Sequence, residues 1–518
     1  MLRRALISVS DKSGIIDLAH YLINKDIQII STGGTARLLM EQNIPVTPVD
    51  HLTGFPECLD GRVKTLHPQI HGGILARRDD NQHQQQAQEL GIQMIDLVIV
   101  NLYPFEATIQ KPQVDLAEAI ENIDIGGVAL IRAAAKNYKD VLIVTDPRDY
   151  ALLMEAEDPN QLDMEFRLKL AAKAFQVTAY YDSLIGSYLS QQLQPTETLL
   201  PECITLAFRK VQNLRYGENP HQPAGYYAEV NPPAGSLVHA KQLHGKGLSF
   251  NNINDAHGAL ELLKEFTEPT AVAVKHTNPC GVGTGETLFE AFQRAYEADP
   301  ISIFGGIVAL NRDVDEETAQ KLKEIFLEII IAPHFSDAAL KVLKKKKNLR
   351  LLELPDLAHL QDLPQVKTYD YKRVSGGLLV QSTDEVLLNS DQLQVVTHRK
   401  PTETEMADLI FAWKVVKHTK SNAIVVAKNG KTLGLGVGQT SRIWAVENAI
   451  ERSRESTLGA VLASDAFFPF ADSVEAAHKA GITAVIQPGG SKRDQDSIDF
   501  CNEQGMAMLF TGIRHFKH

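Results

Sequence analysis

Short apolar runs alternate with amphipathic stretches along the first 150 residues of the chain. Four runs are apolar at nearly every position and predict buried strands, at residues 6–9, 27–30, 97–100 and 141–144. Between these runs, apolar side chains recur at helical spacing in residues 15–25, 36–42 and 116–122. Strands that alternate with helices usually form parallel sheets with helices on both faces. The pattern therefore predicts an α/β fold whose first part is a doubly wound parallel sheet.

A change in composition near residue 190 predicts a domain boundary. Residues 190–198 are polar and contain Pro195, and a new apolar run begins at Cys203. Polar, proline-bearing segments are typical of the linkers between domains. We expect a first domain at residues 1–193, a linker at 194–201 and a second domain at 202–518.

The second half contains an internal repeat. The run Val-Ala-Val-Lys at residues 272–275 matches Val-Val-Ala-Lys at 425–428, an offset of 153 residues. At the same offset Gly281, Gly283 and Gly285 fall on Gly434, Gly436 and Gly438. Each copy is predicted to be a strand ending in a lysine, a loop of glycines and an amphipathic helix. A matching order of this kind predicts a duplicated α/β unit, with repeats at about residues 202–375 and 376–518.

Overall charge and cysteine usage narrow the class of protein. The 518 residues include 52 basic and 64 acidic side chains, a net charge of −12, which argues against nucleic acid as a partner. No apolar run approaches the roughly 18 residues of a membrane-spanning helix. The beginning of the chain turns polar too soon for a signal peptide. Four widely spaced cysteines, never as C-x-x-C, fit a reducing compartment. We expect a soluble, cytoplasmic protein that is large enough to be an enzyme.

Two motifs in the first domain have the composition of anion-binding turns. Residues 8–14 (Ser-Val-Ser-Asp-Lys-Ser-Gly) follow the first predicted strand, and residues 31–35 (Ser-Thr-Gly-Gly-Thr) follow the second. Small residues at a helix N-terminus expose backbone N–H groups to an anion, and Lys12 adds a cation. Each motif alone is better explained as a helix cap or a tight turn. Together at the ends of parallel strands, they predict a phosphate site. Neither a P-loop nor a dinucleotide fingerprint is present in the sequence.

Polar loops elsewhere in the first domain supply candidate acids and bases. They lie at residues 60–68 (Asp-Gly-Arg-Val-Lys-Thr-Leu-His-Pro), 101–104 and 122–127. We expect five side chains from these loops and the following helix to converge beside the phosphate site: Arg62, Lys64, Tyr103, Asp124 and Lys136. Any one of them alone is better explained as a surface ion pair or a loop phenol. As a set, they suit proton transfer on a nitrogen-rich substrate.

Candidate chemistry in the second domain centres on a lysine–histidine pair. Lys275 and His276 end a predicted strand before a glycine-rich segment, a position where catalytic groups often lie. A zinc deaminase requires H-x-E and P-C-x-x-C, but Pro279-Cys280 is followed by Gly283 where the second cysteine would stand. The sequence thus predicts no metal ligand set of that type.

These motifs resemble a family of bifunctional purine-biosynthesis enzymes. The family combines aminoimidazole-carboxamide-ribotide (AICAR) transformylase with IMP cyclohydrolase. The resemblance runs nearly end to end and includes the motifs above, together with Leu-Arg-Tyr-Gly-Glu-Asn-Pro-His-Gln at 214–222 and Lys-His-Thr-Asn-Pro at 275–279. It also includes Lys-Ser-Asn at 420–422 and Ala-Ser-Asp-Ala-Phe-Phe-Pro at 463–469.

For the first domain, the resemblance implies a fold similar to methylglyoxal synthase and the ring closure of formyl-AICAR to IMP. It implies that the phosphate and the rest of the substrate are bound by Ser10, Lys12, Thr32, Gly33, Gly34, Thr35, Arg62, Thr65, Asn101 and Gly126. Proton transfer and oxyanion stabilisation would be carried out by Lys64, Tyr103, Asp124 and Lys136. Which of these groups is the acid and which the base stays open.

For the second domain, the resemblance implies a cytidine-deaminase-like fold present twice. It implies formyl transfer from 10-formyltetrahydrofolate, as co-substrate, to the amine of AICAR without a metal. His276 would accept the proton, Lys275 would act as the electrophile and Asn422 would position the formyl oxygen. The nucleotide and folate would contact Arg215, Tyr216, Phe304, Glu328, Arg442, Phe467, Asp472 and Arg514. The family also implies a homodimer whose interface completes this site.

Two other interpretations of the sequence stay open at this point. The first domain has the composition of a non-catalytic ligand sensor as well as that of an enzyme, because two anion-binding turns serve either purpose. The proton-handling set around Asp124 favours the enzyme, since a sensor does not need it. A structural or scaffolding role is disfavoured by the density of polar loops.

Overall fold

The chain divides into two compact units. The N-terminal unit comprises Met1–Arg209 with Glu229–Asn231, and the C-terminal unit comprises Lys210–Ala228 with Pro232–His518. The structure is a computed structural model that describes residues 2–156, 162–193, 200–362, 368–389 and 391–518. Most of the expected linker at 194–201, namely residues 194–199, lies outside the described residues. Within the described ranges, no helix is both long enough and apolar enough to cross a membrane.

The N-terminal unit is built on a five-stranded sheet. Its strands are β1 (Arg4–Val9), β2 (Gln28–Ser31), β3 (Val46–Pro48), β4 (Leu97–Asn101) and β5 (Leu142–Val144). They lie in the order β3-β2-β1-β4-β5, and every neighbouring pair is parallel. The chain order reverses between β1 and β4, and right-handed crossovers in the two directions put helices on both faces. The predicted doubly wound parallel sheet is confirmed, with β3 as a strand that the hydrophobic pattern did not reveal.

The helices of this unit follow the strands in chain order. They are α1 (Ile15–Asn24), α2 (Gly33–Glu41), α3 (Val49–Thr53), α4 (Pro68–Leu75), α5 (Asn81–Glu89), α6 (Phe105–Ile109), α7 (Leu116–Glu121), α8 (Gly126–Lys136), α9 (Tyr150–Met154) and α10 (Met164–Gln191). Short 3-10 helices lie at Leu59–Gly61 and Pro147–Asp149. α1, α8 and α10 bury their apolar faces in one core with β1, β4 and β5, which explains the helical spacing of their apolar residues. Helix α2 begins at Gly33, inside the second anion-binding motif.

The C-terminal unit is built on a twelve-stranded mixed sheet and two hairpins. The strands are β6 (Arg209–Leu214), β7 (Ala224–Ala228), β8 (Lys241–His244), β9 (Thr270–Lys275), β10 (Asn278–Thr284), β11 (Ile307–Leu310), β12 (Ile329–Ala332), β13 (Arg350–Glu353), β14 (Tyr369–Val374), β15 (Gly377–Ser382), β16 (Gln394–Val395), β17 (Ile424–Lys428), β18 (Lys431–Gly436), β19 (Val461–Ser464), β20 (Ala484–Gln487) and β21 (Ala507–Phe510). β6 pairs with β7 and β14 with β15 in separate two-stranded hairpins. The expected border between the repeats, at residues 375/376, falls in the turn between β14 and β15.

Helices cover the large sheet in the same order in both halves. They are α11 (Phe250–Leu263), α12 (Leu288–Ala298), α13 (Glu316–Glu324), α14 (Asp337–Leu343), α15 (Glu403–Lys417), α16 (Arg442–Arg452), α17 (Asp472–Lys479) and α18 (Asp494–Glu503), with 3-10 helices at Leu237–His239 and Pro355–Asp362. α11 packs on β9 and β11, and α15 packs on β17 and β19. α12 packs on β10, and α16 packs on β18.

The twelve strands show the duplication directly. From the middle of the sheet outwards, one half reads β10-β9-β11-β12-β13-β8 and the other reads β18-β17-β19-β20-β21-β16. The two halves meet where β10 pairs antiparallel with β18. The pairing directions also match, since β11–β12 and β19–β20 are parallel while β9–β10 and β17–β18 are antiparallel. The predicted duplicated α/β unit is confirmed.

Four of the six glycines of the repeat lie in strands, so the predicted loop of glycines is wrong for these four. Gly281 and Gly283 belong to β10, and Gly434 belongs to β18. A Cβ placed on Gly281 would lie 2.0 Å from the carbonyl oxygen of Ala295, in the helix that packs on this strand. The helix backbone therefore approaches the strand more closely than a side chain allows. Glycine marks this close packing here and does not mark a turn.

Candidate active sites

The turn after β1 is attached to the end of β4. The side-chain oxygen of Asn101 accepts hydrogen bonds from the backbone N–H groups of Ser10, at 2.6 Å, and Asp11, at 2.9 Å. The side-chain nitrogen of Asn101 donates to the carbonyl oxygen of Asp11. Because β1 and β4 are parallel neighbours, their carboxyl ends meet at one sheet edge, where doubly wound folds bind ligands.

Lys12 joins this turn to the second anion-binding motif. Its Nζ donates to the carbonyl oxygen of Val9, at 2.5 Å, and to Oγ1 of Thr35, at 3.3 Å. The Thr35 hydroxyl also donates to the Val9 carbonyl. Burial lowers the pKa of Lys12, and the nearby charge of Asp11 opposes the shift. A cation is thus held close to the N-terminus of α2, as the sequence predicts for a phosphate site.

Residues 60–68 bring Lys64 and Thr65 to the start of two helices. A Cβ placed on Gly33, which has φ +46°, would lie 3.3 Å from Nζ of Lys64, so this ammonium group lies at the start of α2. Lys64 also forms an ion pair with Glu57 at 3.2 Å. A Cβ placed on Gly126 would lie 3.1 Å from Oγ1 of Thr65, at the start of α8. The loop therefore adds donors beside both helix N-termini.

Asp124 is a half-buried carboxyl group at the same edge. It accepts hydrogen bonds from the backbone N–H of Gly127, at 2.7 Å, and of Tyr103, at 3.3 Å. Burial raises the pKa of Asp124, and these two hydrogen bonds oppose the shift. The backbone N–H of Asp124 donates to the hydroxyl of Tyr181, a residue that the sequence did not single out because it lies within the long helix α10. The Tyr103 side chain is exposed, so its phenol is accessible to a ligand.

Lys136 and Arg62 are the two remaining predicted residues of this site. Lys136 is the last residue of α8, whereas Asp124 precedes the first. At about 1.5 Å per residue the backbone of Lys136 is about 15 Å from the start of this helix, yet Lys136 and Asp124 line the same cavity. Arg62 is exposed and forms an ion pair with Glu121 at 2.6 Å. The contacts of Lys64, Tyr103 and Asp124 place them near the starts of α2 and α8, and the predicted roles of Arg62 and Lys136 stay predictions.

Candidate residues of the C-terminal unit lie along one edge of the large sheet. This edge contains the C-terminal ends of β9, β19 and β21 and the N-terminal ends of β11, β12 and β17. The pairing directions place these termini on the same side of the sheet. The residues that these termini carry are Lys275, His276, Phe304, Glu328, Asn422, Phe467, Asp472 and Arg514. The loop with Arg215 and Tyr216 reaches the start of α11 on this side, through a hydrogen bond from Asn251 to the carbonyl oxygen of Glu218.

Lys275 and His276 differ in how the protein holds them. Nζ of Lys275 donates to the carbonyl oxygen of Phe304 at 2.8 Å, which leaves two of its three hydrogens for a ligand. His276 is exposed and stands with Thr277 in a two-residue turn with φ values of +53° and +63°. A left-handed turn at the end of a strand projects its side chains beyond the sheet edge. The arrangement gives an exposed imidazole next to a fixed ammonium group.

Asn422 is held from both sides of its amide. Its Oδ1 accepts from Nη2 of Arg442 at 2.8 Å, and its Nδ2 donates to the carbonyl oxygen of Gln439 at 2.8 Å. Nδ2 carries two hydrogens and these contacts use one, so the second can be donated to a ligand. The neighbouring Lys420 donates its N–H to Oδ1 of Asn278, which ties this segment to the loop after His276.

The Arg442 side chain lies behind Asn422, and its predicted contact with the nucleotide or folate stays a prediction. It is 6% exposed and forms an ion pair with Asp465, which is fully buried. Arg442 also donates to the carbonyl oxygen of Ala423. Asp465 accepts from the N–H of Ala423 and is therefore the centre of this cluster. The sequence signal for Asp465 was its place in the motif at 463–469, although no role was assigned to it.

Aromatic and charged side chains occupy the rest of this edge. Phe304 is 59% exposed and packs on Phe326, with ring centroids 5.2 Å apart. The Arg514 guanidinium lies 4.5 Å from the ring centre of Phe516. Glu328 forms an ion pair with the buried Arg350 at 2.6 Å. Exposed aromatic faces beside cations suit a flat, anionic ligand.

The duplication provides an internal comparison for this edge. At the opposite edge, Lys428 occupies the position equivalent to Lys275 and likewise donates to a carbonyl oxygen, that of Leu458, at 2.7 Å. At the 153-residue offset, however, Asn429 replaces His276 and Pro269 replaces Asn422. The opposite edge keeps the lysine and lacks the other two groups.

Cys280 is a packing residue of the first repeat. Its thiol donates to the carbonyl oxygen of Ala273, and burial raises its pKa to about 12. Across the described ranges, no group of three or more His, Cys, Asp or Glu side chains is arranged to hold a metal ion.

Taken together, these observations describe a two-part α/β protein with charged and polar groups gathered at a sheet edge in each unit. A sequence model of the MGS-like domain matches residues 14–129, and a model of the AICARFT/IMPCHase bienzyme matches residues 134–452. The chain is 58% identical over 519 residues to the bifunctional purine biosynthesis protein PurH of Acetivibrio thermocellus. It is 57% and 56% identical to the proteins of the same name from Anoxybacillus flavithermus and Oceanobacillus iheyensis, over 519 and 518 residues. Each alignment covers 100% of both chains.

The chain belongs to the AICARFT/IMPCHase bienzyme family. It is a bifunctional enzyme of purine biosynthesis with AICAR formyltransferase and IMP cyclohydrolase activities. Formyl transfer in this family uses a folate-derived co-substrate. The resemblance stated from the motifs is confirmed.

Proposed function

We propose that the two activities are divided between the two units. IMP cyclohydrolase is assigned to the domain at residues 1–193, and AICAR transformylase is assigned to residues 202–518, with repeats at about 202–375 and 376–518. The observation that carries this assignment is the asymmetry of the large sheet. Only the edge with Lys275 also has His276 and Asn422, while the equivalent edge has Asn429 and Pro269.

In the cyclohydrolase site, the carboxamide nitrogen of formyl-AICAR attacks the formyl carbon of the same molecule. The formyl oxygen leaves as water and the ring becomes IMP. Since both reacting groups belong to one molecule, positioning supplies much of the rate. Ser10, Lys12 and the segment Thr32, Gly33, Gly34 and Thr35 bind the phosphate, while Thr65, Asn101 and Gly126 shape the site. Lys64 stabilises the developing oxyanion, and Tyr103 and Asp124 exchange protons with the reacting groups.

In the transformylase site, the amine of AICAR attacks the formyl carbon of 10-formyltetrahydrofolate. The bond from this carbon to N10 of the folate breaks, and N10 takes up a proton as tetrahydrofolate leaves. His276 accepts the proton that the amine loses. Lys275 and the second Nδ2 hydrogen of Asn422 stabilise the negative charge on the formyl oxygen. Because the lone pair of this amine is delocalised, both kinds of assistance are needed.

Nucleotide and folate are bound by the aromatic and charged groups of the same edge. Arg215 and Arg514 are exposed cations suited to the phosphate, and each lies beside an aromatic ring, Tyr216 and Phe516 respectively. Phe304 and Phe467 offer exposed ring faces to the pterin or imidazole. Glu328 and Asp472 are the acidic groups that can accept hydrogen bonds from ring nitrogens.

A homodimer that completes the transformylase site is also part of the proposal. Support comes from the hairpin β14–β15, whose side chains at Tyr369, Leu378 and Leu379 are exposed. A two-stranded hairpin is marginally stable unless it packs on another surface. All four cysteines are free thiols, which supports the proposed cytoplasmic location. A monomer with full transformylase activity in analytical ultracentrifugation and kinetics would contradict the dimer.

Separate assays of the two half-reactions test the division of labour. Purified protein is incubated with AICAR and 10-formyltetrahydrofolate, and tetrahydrofolate, formyl-AICAR and IMP are measured. We expect His276→Ala to reduce formyl transfer at least 100-fold, the usual scale for a general base, and to leave cyclisation of supplied formyl-AICAR intact. Lys64→Ala should instead reduce cyclisation of supplied formyl-AICAR and leave formyl transfer intact.

Lys428→Ala is the matched control for Lys275→Ala. Both lysines donate to a backbone carbonyl oxygen at nearly the same distance, so both variants lose the same structural hydrogen bond. Only Lys275→Ala should abolish formyl transfer. Equal losses in the two variants would refute the catalytic role of Lys275. Unchanged cyclisation in Lys64→Ala would favour a ligand-sensing N-terminal domain.

A further inference from the structure

The turn that carries His276 has a structural counterpart in the second repeat. His276 and Thr277 have φ values of +53° and +63°, and Asn429 and Gly430 have +54° and +65°. Both pairs close a two-residue hairpin, between β9 and β10 and between β17 and β18. Asn-Gly is the preferred pair for such a turn. His-Thr is not, because a β-branched residue at positive φ is strained by about 1–3 kcal/mol.

An aspartate from the preceding helix binds each turn. In the second repeat, Asp408 on α15 accepts from the N–H groups of both Asn429 and Gly430, each at 2.8 Å. In the first repeat, Asp255 on α11 accepts from the N–H of Thr277 at 2.8 Å. Asp255 and Asp408 are separated by the same 153 residues as the turns. The two aspartates are therefore equivalent, although only one serves a strained turn with a histidine.

The Asp255 carboxylate interacts mainly with the backbone of the His276–Thr277 turn. Burial raises the pKa of Asp255, whereas hydrogen bonds from the Thr277 and His276 N–H groups lower it, so these bonds offset part of the cost of burying its charge. The carbonyl oxygen of His276 is bound in turn by the Thr277 hydroxyl, at 2.7 Å, and by Nδ2 of Asn278, at 2.9 Å. The backbone of His276 is thus held on both sides while its ring stays exposed.

We propose that Asp255 is a positioning residue for formyl transfer, which holds the strained His276–Thr277 turn in the left-handed conformation that presents the imidazole to the substrate amine. The proposal rests on the proposed role of His276. Without the carboxylate, Thr277 relaxes towards negative φ, and His276 leaves the edge shared with Asn422. At Asn429–Gly430 the same loss has a smaller effect on conformation, because glycine adopts positive φ without strain.

The experiment compares Asp255→Ala with Asp408→Ala in the full-length enzyme. We expect Asp255→Ala to lower kcat for formyl transfer at least tenfold, with a KM for AICAR within twofold of the wild type, since binding groups are untouched. Asp408→Ala should keep kcat within twofold. Cyclisation of supplied formyl-AICAR should be unchanged in both variants. If Asp255→Ala folds poorly, Asp255→Asn, which keeps one acceptor oxygen, should show the same kcat-specific loss at smaller size.

A second substitution separates positioning from general damage. The double variant Asp255→Ala/Thr277→Gly lacks the strained residue, so its kcat should be at least threefold higher than that of Asp255→Ala alone. The proposal is overturned if Asp255→Ala and Asp408→Ala lower kcat equally, or if glycine at 277 gives no recovery. A fully active His276→Ala would instead refute the proposed function of this edge. This result differs from the two outcomes that overturn the role of Asp255, because it concerns His276 itself.

Discussion

At the scale of single residues, identical side chains have different roles because their neighbours differ. Lys275 and Lys428 end equivalent strands and make the same hydrogen bond, yet only Lys275 is followed by histidine. Asp465 is fully buried and forms an ion pair with Arg442, whereas Asp124 is half-buried, accepts hydrogen bonds from backbone N–H groups only, and has a pKa that burial raises. Buried carboxyl groups without a cationic partner hold a proton more readily, which suits acid–base chemistry.

The raised pKa of Asp124 leads to a prediction about cyclisation. We expect Asp124→Asn to slow the conversion of formyl-AICAR to IMP at least 100-fold and to leave formyl transfer within twofold of the wild type, because general acid–base catalysis is usually worth this much. A carboxyl group with a raised pKa stays protonated to higher pH, so a contribution as proton donor falls as pH rises through that pKa. Stopped-flow absorbance of IMP formation between pH 4 and 9 measures both effects.

Glu121→Gln serves as the control for this variant. Glu121 is an exposed carboxylate on the same side of the unit, paired only with Arg62. Cyclisation should change by less than threefold in this variant. A rate in Asp124→Asn equal to that of the control would rule out proton transfer by Asp124.

At the scale of elements, the close approach of helix and strand determines where glycine stands. α16 lies so near β18 that a Cβ on Gly434 would lie 2.0 Å from the carbonyl oxygen of Ala449. The equivalent distance from Gly281 to Ala295 is also 2.0 Å. Both copies keep this contact because it sets the distance of the helix from the sheet. In the second copy this distance also positions Arg442, the first residue of α16, which donates a hydrogen bond to Asn422.

Gly434→Ala is therefore expected to destabilise the C-terminal unit by about 3 kcal/mol, the upper end of typical overpacking costs. The added methyl group meets backbone, which yields less readily than a side chain. Both tryptophans, Trp413 and Trp444, belong to this unit, so fluorescence during urea unfolding reports on it selectively. Formyl transfer should also fall, because α16 moves away from Asn422.

Gly247→Ala is the matched control for the glycine substitution. No atom lies within 4 Å of a Cβ placed on Gly247, and its φ is not positive. Its free energy of unfolding should differ from that of the wild type by no more than about 0.5 kcal/mol, the range of ordinary surface substitutions. If Gly434→Ala unfolds at the same urea concentration as this control, the close packing of α16 is not structurally important.

At the scale of the whole molecule, the two repeats of the C-terminal unit are joined by more than the central strand pair. Glu265, which follows α11 of the first repeat, accepts hydrogen bonds from Lys417 and His418 at the end of α15, each at 2.8 Å. Lys417 is only 5% exposed. Burial opposes ionisation of Glu265, but the hydrogen bonds from His418 and Lys417 and the charge of Lys417 favour its ionised form, and its pKa falls to about 2. Burial lowers the pKa of His418, so Lys417 is the cation that pairs with Glu265 near neutral pH.

This ion pair predicts how stability depends on pH. A carboxyl group whose pKa falls from 4.5 to about 2 on folding stabilises the folded state above pH 4.5, and this contribution is lost as pH falls towards 2. We expect Glu265→Gln to destabilise the C-terminal unit by roughly 3–5 kcal/mol at pH 7, because it leaves Lys417 buried without its partner. The difference from the wild type should shrink between pH 4.5 and 2, as measured by urea unfolding.

An exposed pair supplies the comparison for this prediction. Lys321 and Glu324 on α13 form an ion pair at 2.8 Å with both side chains accessible to water. Glu324→Gln should change stability by less than about 1 kcal/mol at any pH in this range. A Glu265→Gln effect that is equally small, or independent of pH, would mean that the buried pair does not stabilise the junction of the repeats.

Much of the architecture was predictable because its causes are local. The buried strands at β1, β4 and β5 are continuous apolar runs, and the repeat is visible as a lysine and three glycines at one offset. β3 was missed because it is short and carries Thr47 and Pro48 among its residues. The glycines of β10 were assigned to a loop because their cause, the backbone of α12, is distant in sequence.

The candidate sites divide in the same way. Motifs identified Lys12, Lys275, His276 and Asn422, because these residues stand at or next to strand ends whose positions follow from the hydrophobic pattern. Lys64 and Asp124 were identified from polar loops that lie between helices. Asp255 and Tyr181 gave no such signal, since each lies within a helix and acts on a loop far away in the chain. Arg442 was named from the sequence, but its buried position behind Asn422 depends on how α16 packs.

The sequence by itself determined the fold class, the duplication, the family and the segments that carry chemistry, because hydrophobic periodicity and short motifs are properties of neighbouring residues. Tertiary structure alone decided which of those segments share an edge. It placed Arg442 behind Asn422 and put His276 and Asn422 at one edge of a sheet whose other edge lacks both. These outcomes depend on strand direction and helix packing, which arise from contacts between residues far apart in the chain.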